Sequence, residues 1–97
     1  MPRYELTEAA DKDLSDIYAF TYVEFGERQA DAYFESLEEC LSRIADNPGL
    51  GRDVAFLREG YRLFVHQRHS IYYKPARSRI LVVRVLGPGM MPAAHLT

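Results

Sequence analysis

Hydrophobic positions recur at intervals of three and four along the first half of the chain. From Glu8 to Phe25, one side of a predicted helix carries Ala10, Leu14, Ile17, Tyr18, Tyr22 and Phe25. From Glu27 to Asp46, a second helix carries Ala30, Tyr33, Phe34, Leu37, Leu41 and Ile44. Thr7 is placed to cap the first helix, Gly26 separates the two helices, and Pro48 prevents the second from continuing. The pattern predicts an antiparallel helical hairpin.

The remaining segments are rich in β-branched and aromatic residues. A short strand is predicted at Arg3–Leu6, and three further strands at Tyr61–Val65, His69–Lys74 and Arg79–Leu86. The last three are close enough for hairpins, which pair strands antiparallel, and the last is apolar enough to be central. We therefore predict an α+β fold in the order β-α-α-β-β-β, with the N-terminal helical hairpin packed on one face of a small antiparallel sheet. Residues 1–97 are expected to form a single domain.

Charge is divided unevenly along the chain, although the formal net charge is only −2. Residues 1–50 contain four basic and twelve acidic side chains, a net of −8. Residues 51–97 contain eight basic and two acidic side chains, a net of +6. This division is compatible with two acidic helices beside an arginine-bearing sheet, or with a basic surface that binds an acidic partner.

Several classes of protein are disfavoured by the composition. No apolar run approaches the ~18 residues of a membrane span, and no secretory leader is recognisable, so we expect a cytoplasmic protein without a membrane partner. Cys40 is the single cysteine, which excludes a disulfide framework, and its spacing from neighbouring leucines predicts a half-buried structural thiol. His66, His69 and His95 have no cluster of further ligands, so neither a metal nor another cofactor is expected.

Five polar residues on neighbouring predicted strands are candidates for catalysis: Arg62, His69, Tyr73, Lys74 and Arg84. A base, an acid and two arginines could cleave RNA by activating the 2′-hydroxyl group and stabilising the phosphorane. Alternate residues of a strand point to opposite faces, however, so the five cannot all converge. Ordinary exposed sheet residues are the competing interpretation.

The chain resembles the ParE branch of the RelE/ParE toxins of bacterial type II toxin–antitoxin systems. The residues that carry the resemblance are Leu6-Thr7, Ala9-Ala10, Asp13-Leu14, Ile17-Tyr18, Glu24-Phe25-Gly26, Ala30, Tyr33, Asn47-Pro48-Gly49-Leu50-Gly51-Arg52, Gly60-Tyr61-Arg62, His69-Ser70-Ile71-Tyr72-Tyr73, Val82-Val83-Arg84-Val85-Leu86, Met90 and His95-Leu96. The resemblance implies a toxin that inhibits DNA gyrase and is neutralised by a ParD-like antitoxin. Such an antitoxin carries a ribbon-helix-helix domain, so the toxin would contact DNA only indirectly.

RelE-type relatives are instead ribosome-dependent mRNA endonucleases, and two features separate this chain from them. The family commonly has Leu-His-x-x-Met-Asp after the last strand, whereas this chain has Leu86-Gly87-Pro88-Gly89-Met90-Met91. A glycine can act neither as an acid nor as a base. The sequence pI is about 5.9, whereas binding to ribosomal RNA favours a strongly basic protein. We therefore expect a non-enzymatic gyrase inhibitor. The alternatives are a RelE-like endonuclease using Arg62, Tyr73 and Arg84, and a degenerate toxin that binds only its antitoxin.

Contact residues are predicted on two parts of the chain. Arg52, Arg58 and Arg62 are candidates for binding an acidic antitoxin segment that lies over the helical hairpin and the sheet. The candidates for binding the target are Arg84, Met90, Met91, His95 and Leu96. The C-terminal Met90, Met91 and Leu96 have two possible roles, since they can pack back on the sheet or provide an adaptable apolar contact.

Overall fold

Two helices joined through a single glycine form the first half of the chain. The computed structural model describes residues 3–96, with α1 at Glu8–Phe25 and α2 at Glu27–Asp46, which confirms both predicted helices. The Thr7 hydroxyl accepts the N–H of Ala10 at 3.0 Å and so caps α1. Gly26 turns the chain with a φ of +93°, a conformation that side-chain-bearing residues rarely adopt. The predicted domain limits of 1 and 97 lie outside the described residues.

Five strands form one sheet, in the spatial order β1-β5-β4-β3-β2. The strands are β1 at Tyr4–Leu6, β2 at Arg52–Asp53, β3 at Arg62–His66, β4 at His69–Ala76 and β5 at Arg79–Leu86. Strands β3, β4 and β5 pair antiparallel, as the short connections predicted, and β2 also pairs antiparallel with β3. The α+β class and the helical hairpin on the sheet are confirmed, but the sheet is mixed because β1 pairs parallel with β5. No tight turn connects these two strands, so nothing forces them to run in opposite directions.

Strand β5 lies between β1 and β4, and its interior position accounts for its apolar sequence. The two-residue strand β2 was not predicted, because two polar residues carry no periodic signal. A 3₁₀ turn at Pro48–Leu50 connects α2 to this strand. A second short helix, α3, spans Pro92–His95 and follows the predicted terminal turn.

The two helices and the sheet share a main core. Its most deeply buried side chains are Leu37, Leu41 and Ile44 from α2 and Ile71, Tyr73, Ile80, Val82 and Val85 from the sheet. Cys40 belongs to this core with 1% exposure, so it is fully buried rather than half-buried, and burial raises the pKa of its thiol.

A smaller core covers the opposite face of the sheet. Its buried members are Val54, Leu63, Tyr72, Leu86 and Leu96. Tyr72 alternates with two main-core residues along β4, which places this second cluster on the other face. The loop after β2 and the residue after α3 therefore close a face that the helices leave open. No helix within residues 3–96 combines the length and apolarity needed to cross a membrane.

Candidate functional site

Tyr73, a candidate in the ribonuclease hypothesis, has no exposed surface and organises the loop after α2. Its hydroxyl donates to the carbonyl of Pro48 at 2.6 Å and accepts the N–H of Gly51 at 2.8 Å. Any side chain at position 51 would collide with this hydroxyl, since a Cβ there would lie 2.6 Å from the oxygen. Both hydrogen-bonding capacities of Tyr73 are thus used within the fold.

Arg62 converges on the same loop. Its Nε and Nη2 atoms donate to the carbonyl of Gly51 at 2.9 and 2.6 Å. Arg52 on β2 is exposed, and Arg58 is exposed in the loop that connects β2 to β3. We call these three residues the arginine edge, because β2 is the outermost strand on this side of the sheet. Lys74 is exposed on β4, and the methylene groups of its side chain lie against Gly60.

Arg84 forms an ion pair with Asp13 that joins three elements of the fold. Its Nε lies 2.8 Å from Oδ2 of Asp13 and its Nη2 lies 2.9 Å from Oδ1. The same Oδ2 accepts the N–H of Val85 at 3.0 Å, beyond the point where β1 stops pairing with β5. Arg84 Nη1 donates to the carbonyl of His95 at 3.1 Å, which attaches α3. The hydrogen bond to Asp13 raises the pKa of the guanidinium.

A β-bulge lies directly before Arg84 on β5. Tyr72 lies opposite Arg84 while Tyr73 lies opposite Val82, so Val83 is an extra residue on β5. The side chains of Arg84 and Asp13 are only 18% and 9% exposed. The guanidinium predicted to contact a target is therefore committed to an internal ion pair.

His66 and His69 face each other across the β3–β4 hairpin, and both are bonded to α2. His69 Nδ1 is hydrogen-bonded to the hydroxyl of Tyr33 at 2.6 Å, and His66 Nε2 to the hydroxyl of Ser36 at 3.1 Å. The Tyr33 ring stacks obliquely on both imidazoles. We call His66 and His69 the histidine pair. It fixes the hairpin against α2.

The two imidazoles favour their neutral forms. Burial lowers the pKa of His66, and the positive charge of Arg43 lowers it further. Burial likewise lowers the pKa of His69, assisted by His66 and Arg68. Burial raises the pKa of the Tyr33 hydroxyl, which therefore keeps its proton.

A cleft of about 420 Å³ opens between α1, the β3–β4 hairpin and the segment after β5. Apolar side chains line much of it (Ile17, Phe20, Val85, Pro88 and Met90), together with the polar Asp13, Asp16, Arg68 and His69. We call it the α1 cleft. Phe20 at its edge is 64% exposed.

The predicted C-terminal contacts divide into buried and exposed residues. Leu96 is buried in the smaller core, which corresponds to packing back on the sheet. Met91 is 66% exposed, and Met90 lines the α1 cleft with its sulfur 3.2 Å from the N–H of Gly87. His95 is partly exposed. Met90, Met91 and His95 thus have surface available for a partner, whereas Leu96 has little.

The structure separates the five candidate catalytic residues. Arg62 and Tyr73 meet at Gly51, His69 is bonded to α2, Arg84 is paired with Asp13, and Lys74 points into solvent. Within residues 3–96, no three His, Cys, Asp or Glu side chains come together as metal ligands.

Sequence reasoning missed Asp13, Tyr33 and Phe20 as members of these sites. Asp13 looked like an ordinary acidic residue near a helix N-terminus, and Tyr33 fitted the apolar stripe of α2. Phe20 did carry a signal, since it is a large apolar residue that lies off the predicted stripe of α1.

Comparison with known proteins identifies similar chains over nearly the whole length. The sequence model of the family described as "ParE toxin of type II toxin-antitoxin system, parDE" matches residues 4–92. Toxin ParE1 of Caulobacter vibrioides is 34% identical over 96 residues, which cover 99% of each chain. Toxin ParE1 of Mycobacterium tuberculosis is 38% identical over 85 residues, which cover 87% of each chain.

A solved structure shares the fold. It is described as a chromosomal ParDE TA system from P. aeruginosa and has a TM-score of 0.73 at 23% sequence identity. The match covers 90% of the present chain and 96% of the other. At this level of identity the likeness concerns the architecture alone.

Proposed function

The chain belongs to the ParE toxins of type II toxin–antitoxin systems, and from this premise we propose that it arrests growth by binding DNA gyrase. The observation that carries the proposal is the family match over residues 4–92. The polar groups of Arg62, Tyr73 and Arg84 are occupied by Gly51, Pro48 and Asp13. This occupation supports inhibition by binding rather than by RNA cleavage.

The test compares the two activities directly. Purified protein is expected to inhibit supercoiling by gyrase and to leave mRNA on translating ribosomes intact. Cleaved mRNA together with normal supercoiling would overturn the proposal in favour of an endonuclease. A chain that neither inhibits supercoiling nor slows growth would instead be a degenerate toxin.

We propose that the antitoxin is ParD-like and that an acidic segment of it contacts the arginine edge. Arg52 and Arg58 are exposed at this end of the sheet, in the half of the chain with a net charge of +6. Opposite charges at an interface raise the association rate and make the affinity depend on salt. Contact with DNA would then occur only through the ribbon-helix-helix domain of the antitoxin, in the cytoplasm.

Charge reversal tests this contact. The double variant Arg52→Glu/Arg58→Glu is expected to bind the antitoxin more weakly and with less dependence on salt, measured by calorimetry at two ionic strengths. Both side chains are exposed, so folding should be retained. Arg28→Glu, at an arginine that is also exposed and lies at the start of α2, is the control. Equal binding by both variants would show that the arginine edge is not the antitoxin site.

A further inference from the structure

The chain after β5 leaves the sheet in a turn and returns to it through α3, a helix of only one turn. We call residues 87–96 the C-terminal segment. The N–H of Met90 donates to the carbonyl of Gly87 at 3.2 Å, and the N–H of Leu96 donates to the carbonyl of Pro92 at 2.9 Å. So short a helix is not stable by itself in water. Contacts with the rest of the fold must therefore hold the segment in place.

One side chain and one backbone carbonyl attach the end of the C-terminal segment. Leu96 is 7% exposed and packs in the smaller core. The carbonyl of His95 accepts Nη1 of Arg84 at 3.1 Å. A cleft of about 270 Å³ is lined by Ala9 of α1 as well as by His95 and Leu96, so α1 and α3 are not in close contact there. The guanidinium of Arg84 joins them, because it is bonded both to Asp13 of α1 and to His95.

We propose that Arg84 is a positioning residue of the toxin: oriented by Asp13, it holds the C-terminal segment so that Met91 and His95 are presented to the target. Arg84 itself then acts on the target only through this segment, which agrees with its internal ion pair. The inference deepens the proposed function and rests on its premise that the toxin acts by binding a protein.

The geometry of the guanidinium connects α1 to α3. A guanidinium is planar, and its five N–H groups point in fixed directions. Asp13 binds Nε and Nη2 with its two oxygens, so the direction of the remaining Nη1 is fixed as well. The carboxylate is in turn held by the N–H of Val85, which donates to Oδ2 at 3.0 Å. The position of the His95 carbonyl is therefore set by α1 and β5 together.

The composition of the C-terminal segment makes its placement important for binding. Residues 87–96 contain no Asp, Glu, Lys or Arg, so an acidic antitoxin segment meets no opposite charge there at neutral pH. Met91 is 66% exposed and His95 is partly exposed, so the segment offers apolar and uncharged surface. Contacts of this kind act only at short range, and a segment that must first be ordered lowers the affinity. A fixed α3 avoids this cost.

The first test replaces the guanidinium and keeps its charge. Arg84→Lys retains a positive charge beside Asp13, but a single ammonium group cannot reproduce the fixed fork that also reaches His95. Backbone order parameters from ¹⁵N relaxation should fall at Ala93 and Ala94 from about 0.85 to below about 0.6 and stay unchanged along α2. Growth arrest without antitoxin should weaken about tenfold if α3 is in place one tenth of the time. Antitoxin affinity, measured by calorimetry, should not change.

Two further variants distinguish positioning from stability. Leu96→Ser removes the other attachment of the segment and leaves the pair of Asp13 and Arg84 intact, so it should also release α3 and weaken growth arrest. Ile44→Val is the control, because it truncates a fully buried side chain of the main core, on the other face of the sheet. It should lower the urea midpoint and keep both an ordered α3 and full growth arrest.

An α3 that stays ordered in Arg84→Lys would overturn the proposal, and so would full growth arrest by variants in which α3 is released. Equal weakening by Ile44→Val would assign the effect to stability and overturn the positioning role. Loss of antitoxin affinity with full growth arrest would overturn it as well, since the segment would then serve the antitoxin. Wild-type growth arrest with normal gyrase supercoiling would overturn the gyrase proposal alone, because the variants are scored by growth. A wild-type chain that does not arrest growth would overturn both.

Discussion

The two helices of the hairpin have similar lengths but differ in how many of their large apolar side chains are buried. Helix α2 buries Leu37, Leu41 and Ile44 and directs its charged residues outward, so its sequence is explained by the sheet beneath it. Helix α1 buries only Ala10, Asp13 and Leu14. Its second half exposes Phe20, Tyr22, Val23 and Phe25.

This difference shows where the fold alone does not account for the sequence. Removal of apolar area from water stabilises a fold by about 25 cal/mol per Å², and the exposed residues of α1 contribute little of this. Helix α2 therefore contributes its large apolar side chains to the core, whereas the second half of α1 leaves several of its own exposed. The first half of α1 is nevertheless attached to the sheet, through the buried Ala10 and Leu14 and through the carboxylate of Asp13.

The strongest test of the comparison removes that carboxylate. Asp13→Ala leaves Arg84 partly buried without its partner and deprives the N–H of Val85 of its acceptor. Breaking a buried ion pair from one side costs about 3–5 kcal/mol of folding free energy. Urea denaturation should show a loss of this size, although Asp13 is polar and lies on the less buried helix.

A double variant identifies the source of the loss. Asp13→Leu/Arg84→Met removes both charges, so no charge remains buried and unpaired. Its loss is expected to be smaller than that of Asp13→Ala, because apolar replacement of a whole buried pair is often neutral. A double variant that is less stable than the single one would show that Asp13 acts through some other contact.

Truncation of Leu41 tests the part of the comparison that concerns α2. Leu41 has no exposed surface, so Leu41→Ala creates a cavity and is expected to cost about 2–5 kcal/mol. Thermal and urea unfolding both report this change. A cost below about 1 kcal/mol would mean that α2 packs less tightly on the sheet than its burial indicates.

Acidification tests how the sheet is held to α2 through the histidine pair. The pKa of each histidine is lower in the folded chain than its ordinary value of 6.5, so below about pH 6.5 the unfolded chain binds protons that the folded chain does not. Stability should therefore be unaffected by this pair above that pH and should fall as the pH decreases through the folded-state pKa values. Urea midpoints measured between about pH 7.5 and pH 5.5 give the slope of stability against pH. This pH range lies above the usual pKa values of carboxylates.

The variant His66→Gln/His69→Gln is the control for this slope. It cannot bind the protons, so its stability should depend less on pH over the same range. Equal slopes for the variant and the wild type would assign the pH dependence to other groups.

The smallest effect on stability is expected on the exposed side of α1. Val23 is 78% exposed, and Val23→Ser should change the free energy of unfolding by no more than about 0.5 kcal/mol. A loss near that of Leu41→Ala would show that the second half of α1 is part of the core, and the contrast between the helices would disappear.

Periodicity was sufficient to predict both helices and the three hairpin-linked strands, because each buries a regular stripe or face. It was misleading at the end of α1, where Tyr22 and Phe25 continue the apolar stripe but are exposed. Periodicity gives the side of a helix that a residue occupies. It does not say how far along the helix the sheet extends.

The ion pair between Asp13 and Arg84 and the contacts of the histidine pair with α2 could not be predicted from the sequence. Asp13 and Arg84 are 71 residues apart, and they meet where α1 begins beside β5, next to the bulge at Val83. Tyr33 meets His69 because α2 crosses the β3–β4 hairpin. Such contacts depend on the packing of elements distant in sequence, which local patterns do not encode. The arginine edge, in contrast, was visible as charge, and its role as an antitoxin contact stays a prediction.

The pairing of β1 with β5 has a consequence for synthesis on the ribosome. Tyr4 lies beside Ile80 and Leu6 beside Val82, so β1 cannot pair until β5 has been synthesised. At about 5–20 residues per second, the nascent chain spends several seconds without its final sheet. Closing contacts that are so distant in sequence also slows folding. A ribosome that stalls before β5 is complete therefore releases a chain that lacks the finished toxin fold, so poisoning depends on translation running nearly to the end.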